Sequence, residues 1–409
     1  MSAPPASLNP FRVLITHRNF RQFWFGQTLS LIGTWMQSMG QGWLALQLSN
    51  SAFVVGLVAA AGSLPILLFS LYAGVMVDRG DKLRLVKVAQ TLLLIEAALL
   101  WWFTWSGHIT IPILLILALF GGLVGSVEIP ARQSLMIELV GRDDLRDAIA
   151  LNSSGFNLAR IIGPSIGALI VARFGLAWCF GVNALSYLTV LIGLATIVLP
   201  PFAAPPVTMS PWAGIREGVA YVASDVRVRT LVHVVTVFSV LGIPYLALMP
   251  VLARDQLGLG ASGYGLLLSA VGVGGLAGAL SLAAVGPRVG RGRLLTVSSL
   301  GYALCLLVLS LVRRPALAVP VLLLTGFLMI VNNALANGLL QTLVPDEFRG
   351  RLMSIYSLIV VGLPQVIGAF GAGLVARVIG VDWAIGGAAV TMLVYGAWAF
   401  RRHPDVRRL

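Results

Sequence analysis

Charge is what this 409-residue chain has least of: Asp, Glu, Lys and Arg make up 11% of it, against about 25% in a soluble domain. So few charges cannot solvate the outside of a soluble core, and a soluble enzyme is excluded. Disorder is excluded too, because disordered chains are poor in apolar residues and this one is 58% hydrophobic. Cysteine is almost missing. Cys179 and Cys305 both fall in apolar runs, so no disulfide framework is implied. Lysine occurs only at Lys82 and Lys87. Metal-ligand clusters, a supported Ser-His-Asp arrangement and a phosphate-cradling loop are all missing. The glycines from Gly272 to Gly278 sit inside an apolar stretch, where they have no phosphate to cradle. No cofactor, no metal and no enzymatic activity are expected. The first twenty residues hold no apolar stretch of leader type, so the first apolar run is expected to remain as a helix.

What the chain does have is apolar runs of membrane-crossing length. Twelve can be marked, at about 23–47, 53–77, 84–105, 109–131, 147–172, 176–199, 230–252, 262–285, 294–312, 316–340, 352–376 and 383–400. The expected fold class is an all-α integral membrane protein, multi-pass, in the plasma (inner) membrane. The net charge of +13 suggests nucleic acid at first sight, but its distribution argues otherwise. Of the 28 Lys and Arg, 22 fall in alternate connections and the two termini. Five (Arg173, Arg254, Arg313, Arg314, Arg377) fall in the other connections, and Arg160 lies inside a run. The positive-inside rule then puts both termini in the cytoplasm.

The longest polar interruption, 201–229, opens with Pro201, Pro205, Pro206 and Pro211 and continues into an amphipathic stretch around Ile215–Val222. It divides the chain into an N-terminal six-helix bundle (1–200), a central cytoplasmic loop (201–229) and a C-terminal six-helix bundle (230–409). A weak internal repeat supports the division. At an offset of 204, Leu139-Val140 matches Leu343-Val344, Gly167-Ala168 matches Gly371-Ala372, and Val171-Ala172-Arg173 matches Val375-Ala376-Arg377. Paired repeats around a midplane site are a transporter architecture.

Two polar stripes stand out. Gln27, Ser30, Thr34, Gln37 and Gln41 recur at steps of three and four, which puts them on one helix face. Asn333, Asn337 and Gln341 recur at steps of four, with Asn332 beside them. Lipid does not solvate such a face. It turns either toward a wet cavity or toward hydrogen-bond partners on other helices. Glu96, Glu128 and Arg160 are ionisable groups within apolar runs. Each needs a partner, water or a proton, because a bare charge at bilayer centre costs at least ~2.5–3.5 kcal/mol. Glu128 is either a proton carrier or the partner of Arg132 one turn away. Glu96 and Arg160 lie at similar depth. His233 reads as a packing residue.

The loop Gly74-Val-Met-Val-Asp78-Arg79-Gly80-Asp81-Lys82 resembles the cytoplasmic loop motif of the major facilitator superfamily. Asn157-Leu-Ala159-Arg160-Ile-Ile-Gly163-Pro164-Ser-Ile-Gly167-Ala168 is similar to the Gly-Pro motif of that superfamily's exporters. Pro130 to Gly167, with Phe348-Arg349-Gly350-Arg351-Leu352, resembles the branch of siderophore and macrolide exporters. Asp81 stands where the loop motif has glycine, and the C-terminal copy around Gly286-Pro287-Arg288 lacks the aspartate.

The resemblance implies a proton-coupled exporter working by alternating access on a small amphipathic molecule. Its cavity would be lined by Gln27, Thr34, Trp35, Gln37, Gln41, Phe238, Asn332, Asn333, Asn337 and Gln341. Protons would act through Glu128, with Glu96 in reserve and Arg160 as anion site or structural partner. Conformational change would involve Gly74, Asp78 and Arg79 as a latch, and Gly163, Pro164 and Gly167 as a seal, hinge or packing site. The expected partners are substrate, protons and the lipid bilayer, with no nucleic acid, and the chain is expected to be a monomer. Proton-coupled uptake, and a non-transporting scramblase or sensor, are the alternatives.

Overall fold

A computed structural model of the chain describes residues 11–199, 211–285 and 290–408. The prolines at 201, 205 and 206 and the Gly286-Pro287-Arg288 copy of the loop motif lie outside the described residues. Every regular element among them is helical. The long segments are α1 (Arg18–Ser49), α2 (Ala52–Arg79), α3 (Lys82–Trp105), α4 (Ile111–Val140), α5 (Leu145–Phe174) and α6 (Ala177–Ala195). They continue with α7 (Val226–Gln256), α8 (Ala261–Val285), α9 (Arg291–Leu311) and α10 (Pro315–Leu343). Then come α11, which runs from Asp346–Ser357 through two π turns into Ala369–Ile379, and α12 (Val381–Arg402). Short helices cover Arg12–Thr16, Pro211–Ser224 and Pro404–Arg408. The amphipathic stretch expected after the central prolines is the helix Pro211–Ser224.

Ten of these helices are long and apolar enough to cross a membrane. The expected runs at 23–47 and 84–105 form α1 and α3, which are not among the ten. Both carry polar side chains along their length, including Gln27, Gln37, Gln90 and Glu96, and these lower their hydropathy.

Local chemistry sets the ends of these rods. Gly141, Gly175 and Gly380 stop α4, α5 and α11 with φ of 74°, 88° and 93°, a region open to glycine at no steric cost. Asp81 caps α3 by accepting from Arg84 N at 3.0 Å. That explains an aspartate where the loop motif has glycine: here the position serves as a helix N-cap. Asp225 caps α7 in the same way, accepting from Arg227 N and Val228 N at 2.8 and 3.1 Å.

The chain divides into two compact units. The first comprises the described residues of Met1–Gly40 and Leu68–Pro206, and the second those of Gln41–Leu67 and Val207–Leu409. In the first, an apolar cluster of Phe20, Phe23, Val86, Leu135, Leu139 and Leu194 closes one end of the bundle. Glycines bring helices into contact. A Cβ on Gly163 would lie 2.7 Å from Ile32 O and from Trp35 Cβ, so α5 lies directly on α1. In the second unit, Gly274 and Gly278 of α8 face the Leu323 and Phe327 carbonyls of α10. Gly56 of α2 meets Ala369 and Gly373 of α11. Such approaches suit helices in lipid, where close packing replaces the hydrophobic effect as the force between them.

Two helices of the second unit depart from regular winding. The α7 segment is interrupted at Ile243-Pro244 and ends in a π turn over Leu252–Gln256. In α11, π turns cover Leu358–Gly362 and Pro364–Gly368. Pro250 and Pro364 lie in these regions, and proline cannot donate to the helical ladder.

Candidate functional site: a buried polar layer in the first unit

The stripe on α1 meets side chains from two other helices. Gln37 Nε2 donates to both oxygens of Glu96 on α3, at 3.2 and 2.9 Å. Gln37 Oε1 accepts from Asn183 Nδ2 on α6 at 2.8 Å. Asn183 Oδ1 accepts in turn from Ser186 Oγ at 3.0 Å. Thr34 lies 3.3 Å from the Tyr187 hydroxyl. Gly33 makes room for this crossing, since a Cβ there would collide with Asn183 Oδ1 and Ser186 Oγ.

A second group lies on the same helices. Glu128 on α4 accepts from Arg132 Nε at 2.8 Å and from Gln90 Nε2 of α3 at 3.0 Å. Gln90 also reaches Gln27 Oε1 at 3.4 Å. Gln90 and Glu96 are six residues apart on α3, so the two groups are displaced by ~9 Å along the helix.

Burial makes this layer expensive to leave unsatisfied. Glu96 is 2% exposed, Glu128 6% and Arg132 8%. Hydrogen bonds to charged groups contribute ~1.5–3 kcal/mol each, and unpaired buried charge costs more. The two carboxylates meet this demand differently. Glu128 is held by the fixed cation of Arg132 one helical turn away. Glu96 is held through both oxygens by a neutral amide, beside the bare backbone of Gly121.

The other singled-out residues are distributed as follows. Gln27, Gln37, Asn332 and Phe238 are 8% exposed or less and engaged by protein groups. Asn332 accepts from Ser299 Oγ at 2.6 Å, and Phe238 packs against Gly396. The other residues expected at a cavity, Thr34, Trp35, Gln41, Asn333, Asn337 and Gln341, are half-buried or exposed. Trp35 meets Phe156 edge-on at 5.6 Å. Gln341 Nε2 donates to Asn337 Oδ1 at 2.5 Å, and the Tyr356 hydroxyl donates to Asn333 O at 2.9 Å. Arg160 is half-buried on α5. Asp78 and Arg79 are exposed at the end of α2, and a Cβ on Gly74 would meet open space. Gly163 and Gly167 both face α1, the latter against Met36 and Met39.

Sequence reasoning left out Gln90, Asn183, Ser186 and Tyr187. The signal for the first two was present. Each is an isolated amide inside an apolar run, which lipid excludes in the same way as the stripe already noticed.

Comparison with known proteins agrees with this architecture. The chain is 25% identical over 292 residues to the "Staphyloferrin A transporter" of Staphylococcus aureus (strain NCTC 8325 / PS 47), covering 70% of this chain and 72% of that protein. It is 27% identical over 322 residues to the "Multidrug efflux pump Tap" of Mycolicibacterium fortuitum, covering 76% and 78%. It is 26% identical over 349 residues to the "Enterobactin exporter EntS" of Escherichia coli O1:K1 / APEC, covering 84% and 82%. Among solved structures, the fold is similar to a bacterial homolog of the human lysosomal transporter Spinster in an inward-facing, unoccupied conformation. That match has a TM-score of 0.76 at 14% identity and covers 98% of each chain. It is also similar to the nucleoside transporter NupG, with a TM-score of 0.73 at 11% identity, covering 96% of this chain and 99% of that one. With residues 6–405 matching the model of the transmembrane secretion effectors, the chain belongs to that family of the major facilitator superfamily and is a multi-pass membrane transporter rather than an enzyme.

Proposed function

We propose that the chain is a proton-coupled exporter of a small amphipathic molecule of the siderophore or drug type, resident in the plasma (inner) membrane as a monomer. Twelve spans form two six-helix bundles, 1–200 and 230–409, joined by the 201–229 loop, with both termini in the cytoplasm. Transport proceeds by alternating access. Thr34 and Trp35 in the first unit, and Gln41, Asn333, Asn337 and Gln341 in the second, are side chains that contact substrate. Asp78 and Arg79 latch one end state, an arrangement favoured where an anion meets a helix N-terminus. Export is supported by the relatives named for exporting enterobactin and for multidrug efflux. Orientation is supported by the 22-to-5 split of basic residues.

The carrying observation is the clasp of Glu96 by Gln37 within the buried layer. A proton carrier needs both charge states within reach. The neutral amide can accommodate either state of Glu96, whereas Glu128 is already ion-paired with Arg132. Glu96 therefore takes the coupling role, and Glu128 with Arg132 forms the frame around it. Because Gln37 and Trp35 share α1, a change at Glu96 reaches the substrate wall through one helix.

Purified protein in proteoliposomes under an imposed pH gradient tests this. Glu96→Gln is expected to bind substrate yet lose gradient-driven accumulation, while the double variant Glu128→Gln/Arg132→Met, which leaves no unpaired buried charge, retains it. Full coupling in Glu96→Gln would overturn the assignment.

A further inference from the structure

Taking Glu96 as the proton carrier proposed above, we infer that Gln37, Asn183 and Ser186 form a reversible amide relay. Its hydrogen-bond direction inverts when Glu96 takes up a proton, carrying the charge state of α3 through α1 to α6.

Donors and acceptors along the line fix the direction of each group in turn. An ionised carboxylate only accepts. Both Glu96 oxygens face Gln37 Nε2, so the other end of that amide, Oε1, must be an acceptor, and Asn183 Nδ2 supplies the donor. Asn183 is left with Oδ1, which the Ser186 hydroxyl satisfies. Each group's orientation follows from the one before it. Protonation of Glu96 turns one oxygen into a donor pointed at a donor. Rotating the Gln37 amide presents Oε1 to the new O–H. That rotation puts Nε2 opposite Asn183 Nδ2, so Asn183 must rotate as well. The chain then ends on Ser186, whose hydroxyl accepts as readily as it donates and keeps its bond to the Asn183 backbone carbonyl at 2.7 Å.

Three features suit the relay. Its amides are buried, Asn183 fully and Gln37 to 8%, so water does not substitute for a missing partner. Gly33 leaves the space that the Asn183–Ser186 pair fills. The charged and titratable groups on the surrounding helices are Glu128 and Arg132 on α4, Tyr187 on α6 and Arg160 on α5. Glu128 and Arg132 satisfy one another, and Tyr187 is placed against Thr34. Tyr187 also reaches the Asn183 side chain, so a hydroxyl stands beside the relay at that point. Gln37 and Asn183 are thus positioning residues: they do not carry the proton, they sense it.

Infrared difference spectroscopy of the full chain in proteoliposomes tests the relay. The carbonyl band of protonated Glu96 is assigned by its loss in Glu96→Gln and followed as a function of pH. Asn183→Leu removes the donor that holds Gln37 in its present direction, so the band is expected to persist to higher pH by about one unit or more. Asn183→Asp, which replaces the donor with an acceptor, is expected to shift it further the same way. In the wild-type chain with 13C-labelled glutamine, the side-chain amide band should move together with the Glu96 band, and stay still in Glu96→Gln. Variants that titrate Glu96 at the wild-type midpoint, or a glutamine band indifferent to pH, overturn the relay while leaving Glu96 as carrier. A Glu96 band absent across the whole pH range overturns the carrier itself.

Discussion

Removing Arg132 should be far more damaging than removing Arg132 and Glu128 together. The pair is 2.8 Å apart, with side chains 10% and 8% exposed. In Arg132→Met the carboxylate keeps only Gln90, at 3.0 Å, and a neutral amide does not offset a full charge. Breaking a buried pair from one side costs ~3–5 kcal/mol. Glu128→Gln leaves the guanidinium in the same position, with a cost of the same order. The double variant Glu128→Gln/Arg132→Met removes both charges, and the amide introduced at position 128 can still accept from Gln90. Replacement of a whole buried pair by neutral groups is often close to neutral. The coupling energy from a double-mutant cycle should therefore be about 3 kcal/mol or more. Reversible unfolding of purified protein in mixed micelles gives the four stabilities. If both single variants unfold within ~1 kcal/mol of wild type, the pair is not carrying buried charge and the division of labour between Glu128 and Glu96 fails with it.

Further outcomes follow from individual contacts. Gly163→Ala should cost ~1–3 kcal/mol, because its Cβ meets the Ile32 carbonyl and Trp35 Cβ at 2.7 Å, and Gly163→Leu should prevent accumulation of folded protein, read by fluorescence-detected gel filtration. Gln256→Leu should destabilise by ~1–3 kcal/mol, since Gln256 Nε2 serves the carbonyls of Leu309, Ser310 and Val312 at 3.0, 3.1 and 2.6 Å; an unchanged melting curve would contradict that role. Tyr221→Ala should loosen the helix Pro211–Ser224 from α11, where Tyr221 stacks on Phe348 at 4.7 Å, and speed proteolysis within 211–224. Glu217→Gln alone should change stability by less than ~1 kcal/mol, because its contact with Arg351 is solvent-exposed on the Glu217 side.

The sequence alone announced the helices, because lipid demands apolar length and little else. It also flagged the α1 stripe, whose spacing fits one helix face. What it left open was the direction in which that stripe turns. Lipid exclusion forbids one direction and leaves two, a wet chamber or another helix, and Gln27 and Gln37 take the second. The choice depends on Gln90, Glu96 and Asn183, which are 50 or more residues away in the chain, and no local pattern encodes which distant amide meets which. Glu128 and Arg132 were legible as a pair for the opposite reason: four residues on one helix are neighbours by geometry. The π turns of α11 were not legible, since they reflect how the segment packs rather than which residues compose it.

The allegiance of residues 41–67 has a consequence for biosynthesis. These residues, from the end of α1 and the start of α2, belong to the compact unit that contains Val207–Leu409, and Gly56 rests on Ala369 and Gly373. Ribosomes add about 5–20 residues per second, so Gly56 waits roughly 15–60 s for the roughly 300 residues that precede its final neighbours. During that interval a stretch shaped to lie against α11 faces lipid or the insertion machinery. A nascent chain truncated before Ala369 should therefore expose Gly56 to quality-control proteases, however well the helices between have inserted.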